Sequence, residues 1–239
     1  AFLGQSDSRG ATAGSQDAFV QALCWPLSST AWAALTKSWA AIKSARDSST
    51  PLIKIHKGPP APPSWVYSAV PNLGAPFREN PAEESTLAAW ISRAQVSIAL
   101  SVVGADQLKG KDAPPYGMAI MDCLSGYLDF LKFPGYEPCH LVVAGPLAAT
   151  ERQQLTSALT EAQKRLRDVP SMQRLSKLPL RICVDDEVPL PVDFANLVSA
   201  AIARFVNAPG TANPVFDAIR PKLVQVPRRI AALEGHRRR

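Results

Sequence analysis

Short apolar runs alternate with helical patterns through most of the chain after residue 81. Three runs have the length and composition of buried strands, namely residues 96–103, 139–144 and 180–184. Apolar residues recur at helical spacing over residues 83–94, 116–133, 150–168 and 196–206. Because continuous apolar strands are typical of sheets covered on both faces, this alternation predicts an α/β fold with a parallel or mixed sheet flanked by helices.

The N-terminal part has a different pattern. Residues 1–17 are rich in Gly, Ser, Ala and Asp, which predicts a poorly ordered start. Apolar spacing over residues 18–46 is helical, with a break at Pro26. Residues 51–56 alternate like a short strand and precede a proline-rich connector.

These patterns divide the chain into four predicted parts. They are a helical N-terminal extension (1–50), a strand with a proline-rich linker (51–80), an α/β domain (81–229) and a basic C-terminal tail (230–239).

Composition fits a globular domain, since the 239 residues are 46% hydrophobic and 19% charged. No apolar run reaches the roughly 18–20 residues that span a bilayer, and the start lacks the pattern of a secretory signal. We therefore expect a cytoplasmic protein that does not enter a membrane. The four cysteines are scattered without zinc-site spacing, so no metal or other cofactor is expected.

Positive charge is concentrated at the C-terminal end. The net charge is +6, and the arginines that contribute near this end include Arg228, Arg229, Arg237 and Arg238. A basic surface favours a polyanion, which predicts contact with nucleic-acid phosphates through these arginines. The alternative is a basic tail that is only solvated.

Residues 178–207 combine a short strand, the acidic pair Asp185-Asp186, a turn and then residues 195–197 at the start of a helix. Phospholipase D superfamily proteins carry the motif His-x-Lys-x4-Asp-x6-Gly-Ser-x-Asn in that setting. On the same spacing this chain has, in order, Pro179, Arg181, Asp186, Asp193, Phe194 and Asn196.

The chain resembles single-motif phospholipase D-like proteins, in particular the phospholipase D-like component of the bacterial DISARM antiphage defence system. Three segments carry this resemblance: IKIHKGPPAP, EESTLAAWISRAQVSIALSVV, and VDDEV followed by ANLVSAAIARFVNAP. In that superfamily the histidine attacks phosphorus, a second motif copy protonates the leaving oxygen, and the lysine and asparagine hold the phosphate.

The resemblance therefore implies a degenerate catalytic motif. Pro179 has no nucleophilic atom at the histidine position. Arg181 and Asn196 keep groups that can bind phosphate, whereas Asp193 and Phe194 place charge and bulk where the family has Gly-Ser. The implied function is a non-catalytic, phospholipase D-like subunit of an antiphage or restriction-type assembly. Its implied partners are nucleic acid, other subunits of the complex and a second copy of the chain.

Two other interpretations stay open at this point. One is an active phosphodiesterase or nuclease that uses a displaced histidine, either His56 or His140. The other is an unrelated α/β structural subunit, in which residues 180–184 are simply a core strand and Asn196 is a helix cap.

Overall fold

The computed structural model describes residues 2–7, 18–46, 67–68, 81–104, 107, 116–131, 141–144, 149–165, 180–183 and 188–237. The strands are β1 (Phe2–Asp7), β2 (Ala18–Pro26), β3 (Tyr67–Ser68), β4 (Val96–Gly104), β5 (Leu141–Ala144), β6 (Leu180–Cys183) and β7 (Val188–Pro189). The helices are α1 (Ser29–Arg46), α2 (Pro81–Arg93), α3 (Tyr116–Leu131), α4 (Ala149–Arg165), α5 (Leu190–Asn207), α6 (Pro214–Ile219) and α7 (Arg228–Arg237), with a 3-10 turn at Arg220–Lys222.

Five strands form one mixed sheet in the order β4-β2-β1-β5-β6, and β3 pairs with β7 separately. Strand β2 runs antiparallel to both β1 and β4, whereas β5 is parallel to β1 and β6 is parallel to β5. Four of the five strands therefore point the same way. This confirms the predicted mixed α/β architecture at the level of fold class.

Two parts of the N-terminal prediction are wrong. Residues 2–7 form β1 in the middle of the sheet, and residues 18–26 form β2 rather than a helix. Every residue of β2 from Ala18 to Trp25 is buried, so the strand has apolar residues on both faces and lacks the period-two alternation that identifies a strand. Because β1 and β2 lie between β4 and β5, the boundary predicted near residue 50 falls inside one sheet.

The other predicted elements are confirmed with small changes at their ends. These are the second half of the N-terminal helical pattern (α1), the helices α2, α3 and α4, and the strands β4, β5 and β6. The strand predicted at residues 51–56 lies outside the described residues.

Helices cover both faces of the sheet. On one face, α1, α2, α5 and α6 surround a cluster in which Trp39 stacks on Trp90 with ring centroids 4.9 Å apart. On the other face, α3 and α4 pack on β1, β2 and β4. Gly126 of α3 fits directly over Ala99 of β4, where an added Cβ would lie 2.9 Å from the Cβ of Ala99.

The predicted basic tail is largely a docked helix. Helix α7 begins at Arg228 and includes Ile230, which is completely buried. Arg220 donates from Nε to Oε1 of Glu234 at 2.6 Å and from Nη2 to Oε2 at 3.2 Å, which ties α7 to the preceding turn. The apolar residues that recur every three or four positions, rather than the arginines, determine that this segment forms a docked helix.

Candidate functional site

The structure describes four of the six residues that were aligned with the phospholipase D motif, and these four do not lie on one element. Arg181 lies on β6, an edge strand, in register with Val142 of β5. Pro179, Asp185 and Asp186 lie outside the described residues. The structure therefore places only part of the motif, and this part is divided between an edge strand and helix α5.

Helix α5 begins at Leu190, five residues earlier than the motif predicts. Asp193 and Phe194 are consequently in its first turns, only 4% and 1% exposed, and face the core on the α1 side of the sheet. Asp193 Oδ2 accepts a hydrogen bond of 2.9 Å from Nε1 of Trp39. A carboxylate is favourable near a helix N-terminus and is held here by a buried donor.

Phe194 completes this arrangement by packing edge-on against two tryptophan rings. Its ring centroid lies 6.3 Å from that of Trp39 and 5.5 Å from that of Trp90. The positions where the phospholipase D motif has Gly-Ser are thus filled by core side chains. Asn196 is half-buried in the second turn of α5, so it is inside the helix and is not its cap.

The predicted phosphate-binding cations that the structure describes lie on different elements of the fold. Arg181 is on edge strand β6, whereas Arg228 and Arg229 lie beside the opposite edge strand, β4. Four strand spacings of about 4.8 Å put these two edges roughly 19 Å apart. Arg237 is the last residue of α7. At about 100° per residue, its position is on the opposite side of the helix from that of Arg228. Arg238 lies outside the described residues.

Two other cations, Arg204 and Lys222, make contacts that hold the fold together. Arg204 forms an ion pair with Glu84 and donates to Oδ1 of Asn213 at 2.8 Å. Lys222 Nζ donates to the carbonyls of Ser92 and Ala94 at 3.2 and 2.6 Å, at the C-terminal end of α2. Partial burial lowers the pKa of Lys222.

The structure reveals a different candidate site, which we name the edge cleft. It is a cleft of about 640 Å³ lined by residues 100–102 of β4, by Asp122 and Ser125 of α3, by Gln107 and by residues 225–229. Arg228 is exposed on its wall, and no ion pair joins it to another described residue.

A line of polar residues leads to this cleft. Gln5, Gln21 and Ser101 occupy one register line across β1, β2 and β4. Ser101 Oγ donates to Oδ2 of Asp122 at 2.8 Å, although Ser101 itself is only 1% exposed. Gln21 is completely buried, and within the described part of the chain its amide has no hydrogen-bond partner. Buried polar groups of this kind are uncommon in an apolar sheet.

The backbone of β4 also faces the edge cleft. The N–H of Val224 donates to the carbonyl of Ile98 at 3.0 Å, and the bridge between Leu223 and Ile98 is parallel. The N–H of Gly104 donates to Oε1 of Gln107 at 3.0 Å. Since backbone groups alternate in direction along a strand, Leu100 and Val102 also direct their N–H and C=O groups towards this outer edge.

Metal-binding side chains and thiols are two further candidates for chemistry. Within them, no group of three or more His, Cys, Asp or Glu residues could hold a metal ion. The two histidines considered as displaced nucleophiles, His56 and His140, lie outside this part of the chain. Cys24 and Cys123 are buried, and burial raises the pKa of both thiols.

Comparison with known proteins identifies no relative. No family model matches the chain, and neither a curated protein nor a solved structure matches it. In the described segments, no helix combines the length and apolar character needed to cross a membrane.

Apart from Arg228 and Arg229, the residues of the edge cleft are absent from the sequence-based prediction. Two signals were available, because Gln21 and Ser101 are polar residues within otherwise apolar strand sequences. Their meaning depends on β2 lying next to β4, a pairing that joins segments about 80 residues apart in the chain.

Proposed function

We propose that the protein is a catalytically degenerate subunit of phospholipase D-like architecture that binds nucleic acid or partner proteins within an antiphage or restriction-type assembly. The family part of this proposal rests on the sequence resemblance, and an argument by resemblance fixes no activity. The chemical part rests on one observation: the buried hydrogen bond between Trp39 and Asp193.

This hydrogen bond argues against hydrolysis at the motif because it commits the Gly-Ser positions to the core. A phosphate needs an open approach to donors, and a covalent mechanism also needs an activated nucleophile. Asp193 and Phe194 are buried, and Pro179 carries no nucleophile. Binding without bond cleavage is the function that remains consistent with these three positions.

Phosphate contact is proposed for Arg181, Asn196, Arg228, Arg229, Arg237 and Arg238. Since the described members of this set lie on strand β6 and on helices α5 and α7, they suit several contacts along one polymer better than a single phosphate pocket. Such contacts make binding strongly dependent on salt and indifferent to base sequence.

The absence of hydrolysis is tested by incubating the purified full chain, in EDTA, with plasmid DNA, single-stranded DNA and bis(p-nitrophenyl) phosphate. We expect no turnover with any of the three substrates. The variants R181A and N196A serve as the comparison. Robust cleavage that disappears in either variant would overturn the proposal in favour of an active phosphodiesterase.

Nucleic-acid binding is tested by fluorescence anisotropy of a labelled 30-base-pair duplex between 50 and 200 mM salt. The variant R237A/R238A/R239A removes the three consecutive arginines at positions 237–239. We expect it to bind the duplex at least about a hundredfold more weakly at 50 mM salt. The slope of log K against log salt should fall by about 3, because each lost phosphate contact contributes about 0.9.

A matched control removes the same charge elsewhere. Lys37, Arg152 and Lys164 are exposed on α1 and α4, so K37A/R152A/K164A lowers the net charge equally. If the slope of log K against log salt is unchanged in this control, the result supports a defined C-terminal contact. An equal decrease in both variants would mean that only net charge matters, which contradicts the assignment.

A further inference from the structure

The edge of β4 is only partly occupied by the chain itself. Leu223 and Val224 already add to this edge beside Ile98, in the parallel direction. The chain then leaves the edge and continues through Gln225 to helix α7, which forms the far wall of the edge cleft. Beyond Val224 the next outward-facing backbone groups belong to Leu100 and Val102.

These backbone groups have no partner among the described residues. Leu100 and Val102 line the edge cleft and are only 7% and 8% exposed, so the cleft limits their contact with water. A backbone donor or acceptor in such surroundings is unfavourable without a partner, and an open strand edge is a template for a further strand. The neighbouring Gly104 illustrates this requirement, since its N–H is satisfied by the Gln107 side chain.

The walls of the edge cleft add charge selectivity. Arg228 is exposed on one wall, and Arg229 lines the cleft next to it. Asp122 of α3 also lines the cleft, and its carboxylate accepts a hydrogen bond from Ser101. A strand lying in this cleft would meet both the arginines and a fixed hydrogen-bond acceptor.

We propose that the edge cleft binds an extended peptide segment of a partner protein as an additional strand beside Leu100 and Val102. The segment carries an acidic side chain that pairs with Arg228. Main-chain hydrogen bonds provide the affinity, and the charged wall provides the selectivity, as in other cases of strand addition. This inference rests on the scaffolding part of the proposed function and does not require nucleic-acid binding.

The probe is a fluorescein-labelled peptide of sequence Val-Thr-Val-Glu-Val-Thr, acetylated and amidated, titrated against the full chain by anisotropy. A matched peptide has Lys in place of Glu, and a third peptide is N-methylated at alternate residues on the edge-facing side. We expect the Lys peptide to bind at least tenfold more weakly, because it opposes Arg228. The N-methylated peptide should not bind, because it cannot donate to β4.

Two variants of the protein test the location. R228E should weaken binding of the Glu peptide at least tenfold and strengthen binding of the Lys peptide, and because Arg228 is exposed we expect the variant to fold. R152E changes another exposed arginine, on α4, and should change neither affinity. Equal effects of R228E and R152E would show a general charge effect and overturn the proposed contact.

Amide hydrogen exchange distinguishes strand addition from a purely electrostatic attraction between the peptide and the protein. Binding of the Glu peptide should slow exchange of the Leu100 or Val102 amides at least tenfold, while the Gly104 amide, already bonded, should change little. Binding without this protection, or no binding up to millimolar peptide, would exclude strand addition. Concentration-dependent protection of the same amides in the protein alone would instead identify a second copy of the chain as the occupant.

Failure of this proposal is distinguishable from failure of the proposed nucleic-acid contact. The variant R237A/R238A/R239A should lose duplex affinity and keep its affinity for the Glu peptide. Loss of peptide binding in that variant would contradict a separate site at the β4 edge.

Discussion

Trp39 and Asp193 are 154 positions apart in the chain and are joined by a buried hydrogen bond of 2.9 Å between Nε1 and Oδ2. The bond connects α1 to the first turn of α5 through the apolar cluster on one face of the sheet. It also fixes the position at which a phospholipase D-like motif would have a small residue beside the phosphate. This contact therefore stabilises the fold, and under the proposed function it also argues against hydrolysis at this position.

Removing the donor of this bond should destabilise the protein. We expect W39F to lower the free energy of unfolding by about 1–3 kcal/mol beyond its packing cost, because the buried Asp193 carboxylate loses a partner. Urea unfolding followed by far-UV circular dichroism measures the change. W90F is the matched control, since Trp90 also stacks in this cluster. An equal loss in both variants would show that packing alone accounts for the effect.

Gly126 is predicted to tolerate no side chain. An added Cβ would lie 2.9 Å from the Cβ of Ala99 and 3.1 Å from Cγ2 of Val224, so α3 would have to move away from β4. G126A should cost about 1–3 kcal/mol through overpacking, despite the better helix propensity of alanine. G117A is the control in the same helix, because nothing lies within 4 Å of its Cβ position. The midpoint temperature of thermal unfolding should fall for G126A and rise for G117A.

Helix α7 is predicted to be part of the folded unit. Ile230 is completely buried, so I230A should lower the free energy of unfolding by about 2–5 kcal/mol. The exposed neighbour Ala232 provides the control, and A232S should change stability by less than about 0.5 kcal/mol. Chemical denaturation distinguishes this outcome from that of a solvated basic tail, for which I230A would have no effect.

The thiols of Cys24 and Cys123 are predicted to be unreactive in the native protein. Burial raises the pKa of both, so at pH 8 they stay protonated and inaccessible. In a C139S/C183S variant, Ellman's reagent should react with neither thiol until denaturant is added. Rapid reaction of either thiol under native conditions contradicts the buried placement.

The same shift makes stability depend on pH. A thiol that stays protonated when folded but ionises near pH 8.5 when unfolded binds more protons in the native state. Its contribution to stability is therefore fully present below about pH 8.5 and is lost as the pH rises above that value. Replacing both cysteines with alanine should reduce this part of the pH dependence of the unfolding free energy.

The local pattern of apolar and polar residues predicted two kinds of element correctly. These are helices with one apolar and one polar face, and strands made of a long apolar run. Helix α4 and strand β4 are examples, and both lie within a few residues of their predicted ends. Strand β2 was predicted as helix because all its residues from Ala18 to Trp25 are buried, which removes the alternation that distinguishes the two structures. The polar sequence of β1 gave no strand signal, since its stability comes from pairing on both sides.

The sequence by itself determined the α/β class and the basic character of the C-terminal end, because these depend on residue type and local spacing. Only the tertiary structure decided that β1 lies at the centre of the sheet, that Asp193 belongs to the core through Trp39, and that the edge cleft lies beside Arg228. The reason is physical: strand pairing and burial join residues far apart in sequence, and a local pattern carries no information about which distant partner satisfies a polar group.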